Sequence, residues 1–449
     1  MGAFAQTRKP NLIVILADDM GYGDIGCYGS PDVPTPNIDA LAKGGTRFTD
    51  GYVSCAVCSP SRVALLTGQY QHRHGHEFNS GSPEREAEVN FGLPKSARIL
   101  PQHLKSAGYV SGVFGKWHLG VRPGYHPLER GFDEFFGFRT GGNAYITKRT
   151  PGAHAVAGDG PAAIPASRDQ PIFRNHDAIQ EDRYLTEAFA AEAIAFIERH
   201  KARPFFVYLP FNAIHTPLHA TSKYLDRFAA IKNERHRELA AMTAALDEAV
   251  GAVMAKVRQA GLERNTMVVF LSDNGCPTIT GAGTNGPLNG QKVTYYEGGI
   301  RVPFIAHWPG RIPAGQTYRQ PVVSRDVVPT FLAAAGIRAD AAFDGVDLMP
   351  FITGRTGGSP HEALFWRGGK ARAVRKGDWK LLEFGDGFTR LYNLAKDLGE
   401  RDDVAARYPE KVKELRADWQ AWSAQMKPAA WPPRNRSLTV NGVELNWEL

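Results

Sequence analysis

The chain has 449 residues, 43% hydrophobic, 22% charged and 10% aromatic, with 53 basic against 46 acidic side chains and a formal charge of +7. This excludes a disordered chain, and the length exceeds one small core, so a large α/β domain with a smaller appendage is expected. The charge suits an anionic ligand but forms no dense Lys/Arg block, and no apolar run approaches the ~20 residues that span a bilayer, so neither nucleic acid nor a membrane is an expected partner.

At the N-terminus Ala3 and Ala5 flank Phe4, the small-x-small look of the end of a cleaved secretory leader, with no hydrophobic region before it. This predicts a mature exported form, periplasmic or secreted rather than cytoplasmic. Cys27, Cys55, Cys58 and Cys276 are too few and too scattered for a disulfide framework.

In chain order, residues 12–16 read as a buried strand followed by Asp18 and Asp19, and 36–43 as a helix. Next comes Cys58-Ser59-Pro60-Ser61-Arg62, running into Val63 to Thr67 and Gly68. Pro60 and Ser61 are good first-turn residues, so Cys58 is expected just before a helix N-terminus, where backbone N–H groups favour an anion and Arg62 adds fixed charge. Cys55 and Cys58 have redox spacing but lack a thioredoxin-like context. His72, His74 and His76 alternate like a metal face on a strand, yet no carboxylate beyond Glu77 accompanies them, so they are not read as a metal site.

Further on, a helix is expected at 100–107 and a strand at 109–114, followed by Lys116 and His118. Residues 141–170, rich in Gly, Pro and Ala, form a long irregular excursion of the kind that often carries function. A helix at 182–200 precedes a strand at 205–209, after which come Asn212 and His215; a helix at 235–260 precedes a strand at 267–271, then Asp273 and Asn274. Lys292 follows in Gly290-Gln291-Lys292, and 326–335 reads as a helix. In open α/β sheets the ligand crevice lies beyond the carboxyl ends of the strands, so polar residues at four strand ends converge on one site. Asp18, Asp19, Asp273 and Asn274 offer hard oxygen donors suited to Ca²⁺ or Mg²⁺ rather than zinc.

Beyond residue 351 the chain changes to short β-like pieces at 363–366, 372–375, 379–384 and 390–393, then a helix at 409–425 with Val412, Leu415, Trp419 and Trp422 on one stripe. Residues 427–449, with Pro428, Pro432 and Pro433, are expected to wrap over the surface. The predicted division is 1–350, catalytic, and 351–449, a subdomain with a small antiparallel sheet, a packing helix and an extended tail.

The run from Cys58 to Gly68 resembles the signature of the type I sulfatases, in which that cysteine is oxidised after translation to formylglycine. Residues 10–29 resemble that family's opening strand and metal loop, and Tyr296-Glu297-Gly298-Gly299-Ile300-Arg301-Val302-Pro303 a later block; 115–137 and 285–303 are similar to arylsulfatases and the galactosamine 6-sulfatase group. The resemblance implies the alkaline phosphatase superfamily fold: α/β, a large mostly parallel sheet sandwiched by helices, with a smaller C-terminal antiparallel sheet plus helix. It implies a sulfuric ester hydrolase acting on a sulfated small molecule or oligosaccharide, with aryl sulfates as model substrates, and matured by a formylglycine-generating enzyme. One Ca²⁺, with Mg²⁺ the lesser choice, would sit on Asp18, Asp19, Asp273, Asn274 and residue 58.

The same resemblance assigns Cys58 as nucleophile precursor and Arg62 as holder of its hydrate. Lys116 and Lys292 would bind sulfate oxygens, His215 with Lys292 would help the alcohol leave, and His118 would take the proton that lets sulfate depart. The alternative is a phosphonate monoester or phosphodiester hydrolase of the superfamily. A non-catalytic binder is disfavoured because every matched catalytic position is filled. The expected pocket walls are the 141–170 excursion, His219, and the C-terminal sheet near Trp366 and Arg372.

Overall fold

In the computed structural model, residues 9–80, 91–156, 171–338, 342–385 and 387–449 are described. The leader-like residues 1–6 and part of the 141–170 excursion, 157–170, lie outside them.

The predicted strands are the spine of the molecule. Among the described residues ten strands form the main sheet: β1 (Asn11–Ala17), β2 (Thr46–Phe48), β3 (Val110–Lys116), β4 (Glu134–Phe138), β5 (Ile172–Arg174), β6 (Asp177–Ile179), β7 (Phe205–Pro210), β8 (Thr266–Ser272), β9 (Phe304–His307) and β10 (Gln316–Tyr318). Their order is β10-β2-β9-β8-β1-β7-β3-β4-β5-β6. The central five, β8-β1-β7-β3-β4, are all parallel, whereas β9 and β5 pair antiparallel at the two flanks, so the sheet is mixed with a parallel heart.

A strand covered on both faces must be apolar throughout, and β1 is: Ile13, Ile15 and Ala17 enter one core, Leu12, Val14 and Leu16 the other. On the first face lie α1 (Pro36–Lys43), α4 (Leu185–His200) and α5 (Glu234–Gln259), contributing Phe189, Phe196, Leu246, Val250 and Val253. On the second lie α2 (Cys58–Thr67), α3 (Leu100–Lys105) and α6 (Val327–Ala334), with Val63, Leu66, Leu104 and Phe331. Each such fully buried aliphatic or aromatic side chain contributes roughly 1.5–3 kcal/mol.

β3 runs past the expected end at Phe114 as far as Lys116. Gly115 permits this: a Cβ there would sit 2.0 Å from the Pro210 carbonyl oxygen of neighbouring β7, at φ 137°. The two strands therefore approach closely at their carboxyl ends, and Lys116 is delivered to the crevice as the last strand residue.

The C-terminal part has a four-stranded antiparallel sheet in chain order, β11 (Ala363–Gly368), β12 (Ala371–Lys376), β13 (Trp379–Phe384) and β14 (Phe388–Asn393), with α7 (Pro409–Ser423) packed through Val412 and Leu415 on Val374, Leu381 and Leu391. A buried seam of charge joins it to the main domain. Lys380 lies 2.8 Å from both Glu297 and Glu400, and Arg375 lies 2.6 Å from Asp50.

The last segment departs from expectation. It is a β-hairpin, β15 (Asn435–Val440) and β16 (Val443–Glu448), not a surface wrap. Asn441 and Gly442 both take positive φ, 52° and 75°, as a two-residue type I′ turn requires. Leu438, Val440 and Trp447 are buried against the core that contains Tyr295, Tyr296 and Leu382.

Candidate active site

Everything chemical converges beyond the carboxyl ends of the central strands. Cys58 is the first residue of α2, 2% exposed, its Sγ 3.6 Å from Asp18 Oδ1. Asp18 and Asp19 follow β1; Asp273 and Asn274 follow β8. Arg62, one turn into α2 and sealed from solvent, places Nε and Nη2 at 2.9 and 2.7 Å from Asp273 Oδ2 and Nη1 at 3.0 Å from the Lys116 carbonyl. Three of its five N–H donors are thus engaged by the protein, so Arg62 buttresses β3 against β8 beside residue 58.

The lysines lie on the carboxylates: Lys116 Nζ is 2.6 Å from Asp18 Oδ2, and Lys292 Nζ is 2.6 Å from Asp19 Oδ1. His215 Nε2 is 3.6 Å from Asp19 Oδ2, while its Nδ1 meets the Thr216 carbonyl. His118 sits two residues beyond Lys116, the strand partner of Phe138, with its N–H on the Arg139 carbonyl and φ 58°, and Asp19 has φ 63°. A non-glycine residue in that region costs on the order of 1–3 kcal/mol, a strain that surrounding contacts must hold and that is typical of functional positions.

These charges set one another's protonation. Burial by itself would raise the Asp19 carboxyl, but Lys292 and His215 hold it well below the usual range. Burial, then the charge of Asp18, raises Asp273. Burial pushes the Cys58 thiol up to about 12, so at neutral pH the unmodified side chain is protonated and a poor nucleophile. Burial, with Lys116 and Arg62 adding to it, drives His118 well below its ordinary value and leaves a neutral imidazole able to accept a proton.

The donor set could hold a metal ion. Ligand atoms of Asp18, Asp19, Cys58 and His215 lie within 4.8 Å of one another. Among the described residues Asn274 Oδ1 is buried with no hydrogen-bond partner, while its Nδ2 donates to Asp19 at 2.7 Å, so an amide oxygen is left over for a cation among carboxylates.

The structure therefore gathers all ten expected site residues, Asp18, Asp19, Cys58, Arg62, Lys116, His118, His215, Asp273, Asn274 and Lys292, at one place. Two of the expected wall residues are buried: Trp366 is 1% exposed with its indole N–H on the Val53 carbonyl, and His219 is fully buried, its Nδ1 accepting the Tyr145 N–H at 3.3 Å. Arg372 is held by Glu383. The histidine run 72–76 begins as a short 3₁₀ helix, Gln71–His74, not a strand. Sequence reading missed the hydroxyls that grip both site histidines. Ser59 Oγ donates to the His118 carbonyl at 2.7 Å, and Tyr145 OH lies 2.7 Å from the His215 carbonyl and also contacts that of Asn212. No spacing rule links these pairs.

The family model of the sulfatases matches residues 10–337, the stretch that carries every one of these groups. The chain belongs to the sulfatase family. A second model, the C-terminal region of N-sulphoglucosamine sulphohydrolase, matches residues 290–422. N-acetylgalactosamine-6-sulfatase of Homo sapiens is 36% identical, the match covering 100% of this chain and 91% of that protein, and arylsulfatase A of Homo sapiens is 34% identical over 95% and 90%. Among solved structures, Ps i-CgsB in complex with a neocarrahexaose superimposes with a TM-score of 0.86 at 35% identity, covering 94% of this chain and 95% of that one. This sulfatase is a sulfuric ester hydrolase with the alkaline phosphatase-like fold. Among the described residues no helix is long and apolar enough to cross a membrane.

Proposed function

We propose that this sulfatase removes sulfate from a sulfated carbohydrate, using formylglycine made from Cys58 by a maturation enzyme and one Ca²⁺ held by Asp18, Asp19, Asp273, Asn274 and residue 58. The observation that carries the reading is the cysteine itself: its thiol is buried and held protonated, yet it stands at a helix N-terminus amid two lysines, an arginine and three carboxylates. Such a setting serves an anion and an oxygen nucleophile. Formylglycine at residue 58 would supply, as its hydrate, an oxygen nucleophile and a second hydroxyl. Ca²⁺ held by those residues would supply Lewis acidity.

The chain's own groups do the rest. Lys116 and Lys292 neutralise the non-bridging sulfate oxygens. His215, with Lys292, gives a proton to the departing alkoxide, and neutral His118 accepts one from residue 58. Arg62 fixes Asp273 and the end of β3 so that these groups keep their geometry. Residues 351–449 serve as a subdomain tied to the catalytic part through Lys380 on Glu297 and Arg375 on Asp50.

The oligosaccharide in the Ps i-CgsB complex and the galactosamine sulfate in the names of the relatives support a sulfated carbohydrate, and a polymer of that kind is met outside the cytoplasm, in keeping with a periplasmic or secreted enzyme. The test is sulfate release from a panel of sulfated oligosaccharides, with peptide mass spectrometry across residue 58. Expected are one sulfate per desulfated sugar, an aldehyde mass at position 58, and no turnover by Cys58→Ala. Higher efficiency on a phosphodiester or phosphonate than on the sulfate of the same aryl alcohol would overturn it.

A further inference from the structure

Ser59, the residue after Cys58 in α2, is sealed from solvent, and its hydroxyl has two partners: the His118 carbonyl oxygen at 2.7 Å and His76 Nε2 at 2.6 Å. A hydroxyl carries one proton, and a carbonyl oxygen can only accept. The Ser59 proton therefore lies toward His118, and His76 must donate to Ser59 through Nε2–H. The short Ser59–His118 bond thus assigns Nε2–H as the His76 tautomer, in keeping with a buried Nδ1 that has no hydrogen-bond partner among the described residues. Burial agrees, holding the His76 imidazole near a pKa of about 3 and so neutral.

The donor is itself boxed in. Trp431 packs edge-on against His76, ring centroids 4.7 Å apart at 81°, and its indole N–H donates to the Asn79 carbonyl at 3.2 Å. Asn79 Oδ1 in turn accepts the Ser59 backbone N–H at 2.9 Å. At the other end His118 holds a left-handed backbone, φ 58°, secured by its N–H on the Arg139 carbonyl at 3.1 Å and by Ser59 on its own carbonyl. Residue 58 and His118 are thus joined through one serine whose rotation is locked from behind.

We propose that Ser59 and His76 are positioning residues that set His118 against residue 58, along the line His76 Nε2–H to Ser59 Oγ–H to the His118 carbonyl. The inference rests on the reading of residue 58 and His118 as reacting groups. Ser59 Oγ is taken up by protein atoms, the His118 carbonyl and His76 Nε2, so both residues act through His118 rather than on substrate.

The experiment uses the full-length matured protein and its variants His76→Leu, His76→Gln and Ser59→Ala, with His118→Ala as reference. Turnover of an aryl sulfate is normalised to the fraction of residue 58 converted, measured by peptide mass spectrometry. A displacement of about 1 Å costs on the order of 100-fold, so His76→Leu is expected to lower kcat about 10- to 100-fold with KM within about threefold. His76→Gln, whose amide N–H can still donate to Ser59, is expected within about threefold of the native kcat. Ser59→Ala should match His76→Leu, and carries the same expectation if the leucine variant does not fold. Native kcat in His76→Leu or Ser59→Ala, equal losses in His76→Gln and His76→Leu, or a change confined to KM would each overturn the proposal. Full activity in His118→Ala would overturn the site reading beneath it instead.

Discussion

Asp273 Oδ2 accepts two hydrogen bonds from Arg62, from Nη2 at 2.7 Å and Nε at 2.9 Å, and both side chains are closed to solvent. Asp18 Oδ2 lies a further 3.5 Å from the same guanidinium. Arg62→Ala would leave buried Asp273 without its cation, while Asp18 keeps Lys116 at 2.6 Å, a loss of roughly 3–5 kcal/mol. Arg62→Lys keeps the charge but loses the fork, and should fall between. Urea unfolding is the readout, because Arg62 also lies in the segment to be matured; a cost below about 1 kcal/mol for Arg62→Ala would remove the buttress role.

Tyr145 offers a substitution that deletes one hydroxyl and little else. Its OH is 2.7 Å from the His215 carbonyl and its ring is buried, so Tyr145→Phe preserves packing while freeing the loop that carries His215. Stability should fall by about 0.5–1.5 kcal/mol, and kcat on an aryl sulfate by about tenfold with KM nearly constant. An unchanged kcat would show that the loop holds His215 without it.

The histidines of the 72–76 run predict a pH dependence. Burial lowers His72 and His74 to about 4 and His76 to about 3, from an ordinary value of 6.5. These are bases with depressed folded-state values: above pH 6.5 neither state is protonated, and as pH falls toward 4 the unfolded chain binds protons the folded chain refuses. Each therefore removes about 1.4 kcal/mol of stability per pH unit in that window. Asp24 and Glu400, raised by burial to about 6 and about 7, titrate in the opposite sense over part of it. The comparison must be variant against native: His74→Gln should flatten the slope of unfolding free energy against pH between 6.5 and 4 by about one proton. Parallel slopes would contradict it.

What was legible in the chain follows from what pattern can encode. β1, β3, β7 and β8 are covered on both faces and so read as unbroken apolar runs, and the Asp and His pairs at their ends could be placed by topology before any contact was known. β2, β5 and β10, three residues each, carry no run to read. The 435–448 hairpin was hidden by the prolines before it, although Asn441-Gly442 is a strong turn signal. The Ser59–His76 and Tyr145–His215 contacts join residues 17 and 70 positions apart through single hydroxyls, which no periodicity reveals. Arg62 could be read as a cation near Cys58, but only the fold shows its donors engaged by Asp273 and Lys116.

Chelation tests the oxygen-donor site. A bound ion stabilises only the folded chain, by about 2.7 kcal/mol when free ion is a hundred times Kd. Treatment with EGTA should abolish turnover and lower the melting temperature, and Ca²⁺ should restore both better than Zn²⁺, since carboxylate and amide oxygens suit a hard cation. Asn274→Ala, which removes the orphaned Oδ1, should weaken the Ca²⁺ response. Full turnover after exhaustive chelation would refute the assignment.

Gly141 provides the most local test of His118. A Cβ at this position would lie 2.7 Å from His118 Nε2 and 2.8 Å from its Cε1, closer than any real contact of that kind, and Gly141 has no positive φ that alanine would resist. Gly141→Ala therefore leaves the backbone content and pushes the imidazole aside. Because the clash falls on a side chain in the crevice rather than on the core, unfolding free energy should change by less than about 1 kcal/mol. Misplacing a proton acceptor by the required few tenths of an ångström to an ångström should lower kcat about 10- to 100-fold while conversion of Cys58 stays complete. A paired Gly141→Ala, His118→Ala variant should be no slower than His118→Ala alone, since both changes act on one group. Additive losses in the pair would mean that Gly141 serves substrate entry instead, and that His118 is not what its missing side chain makes room for.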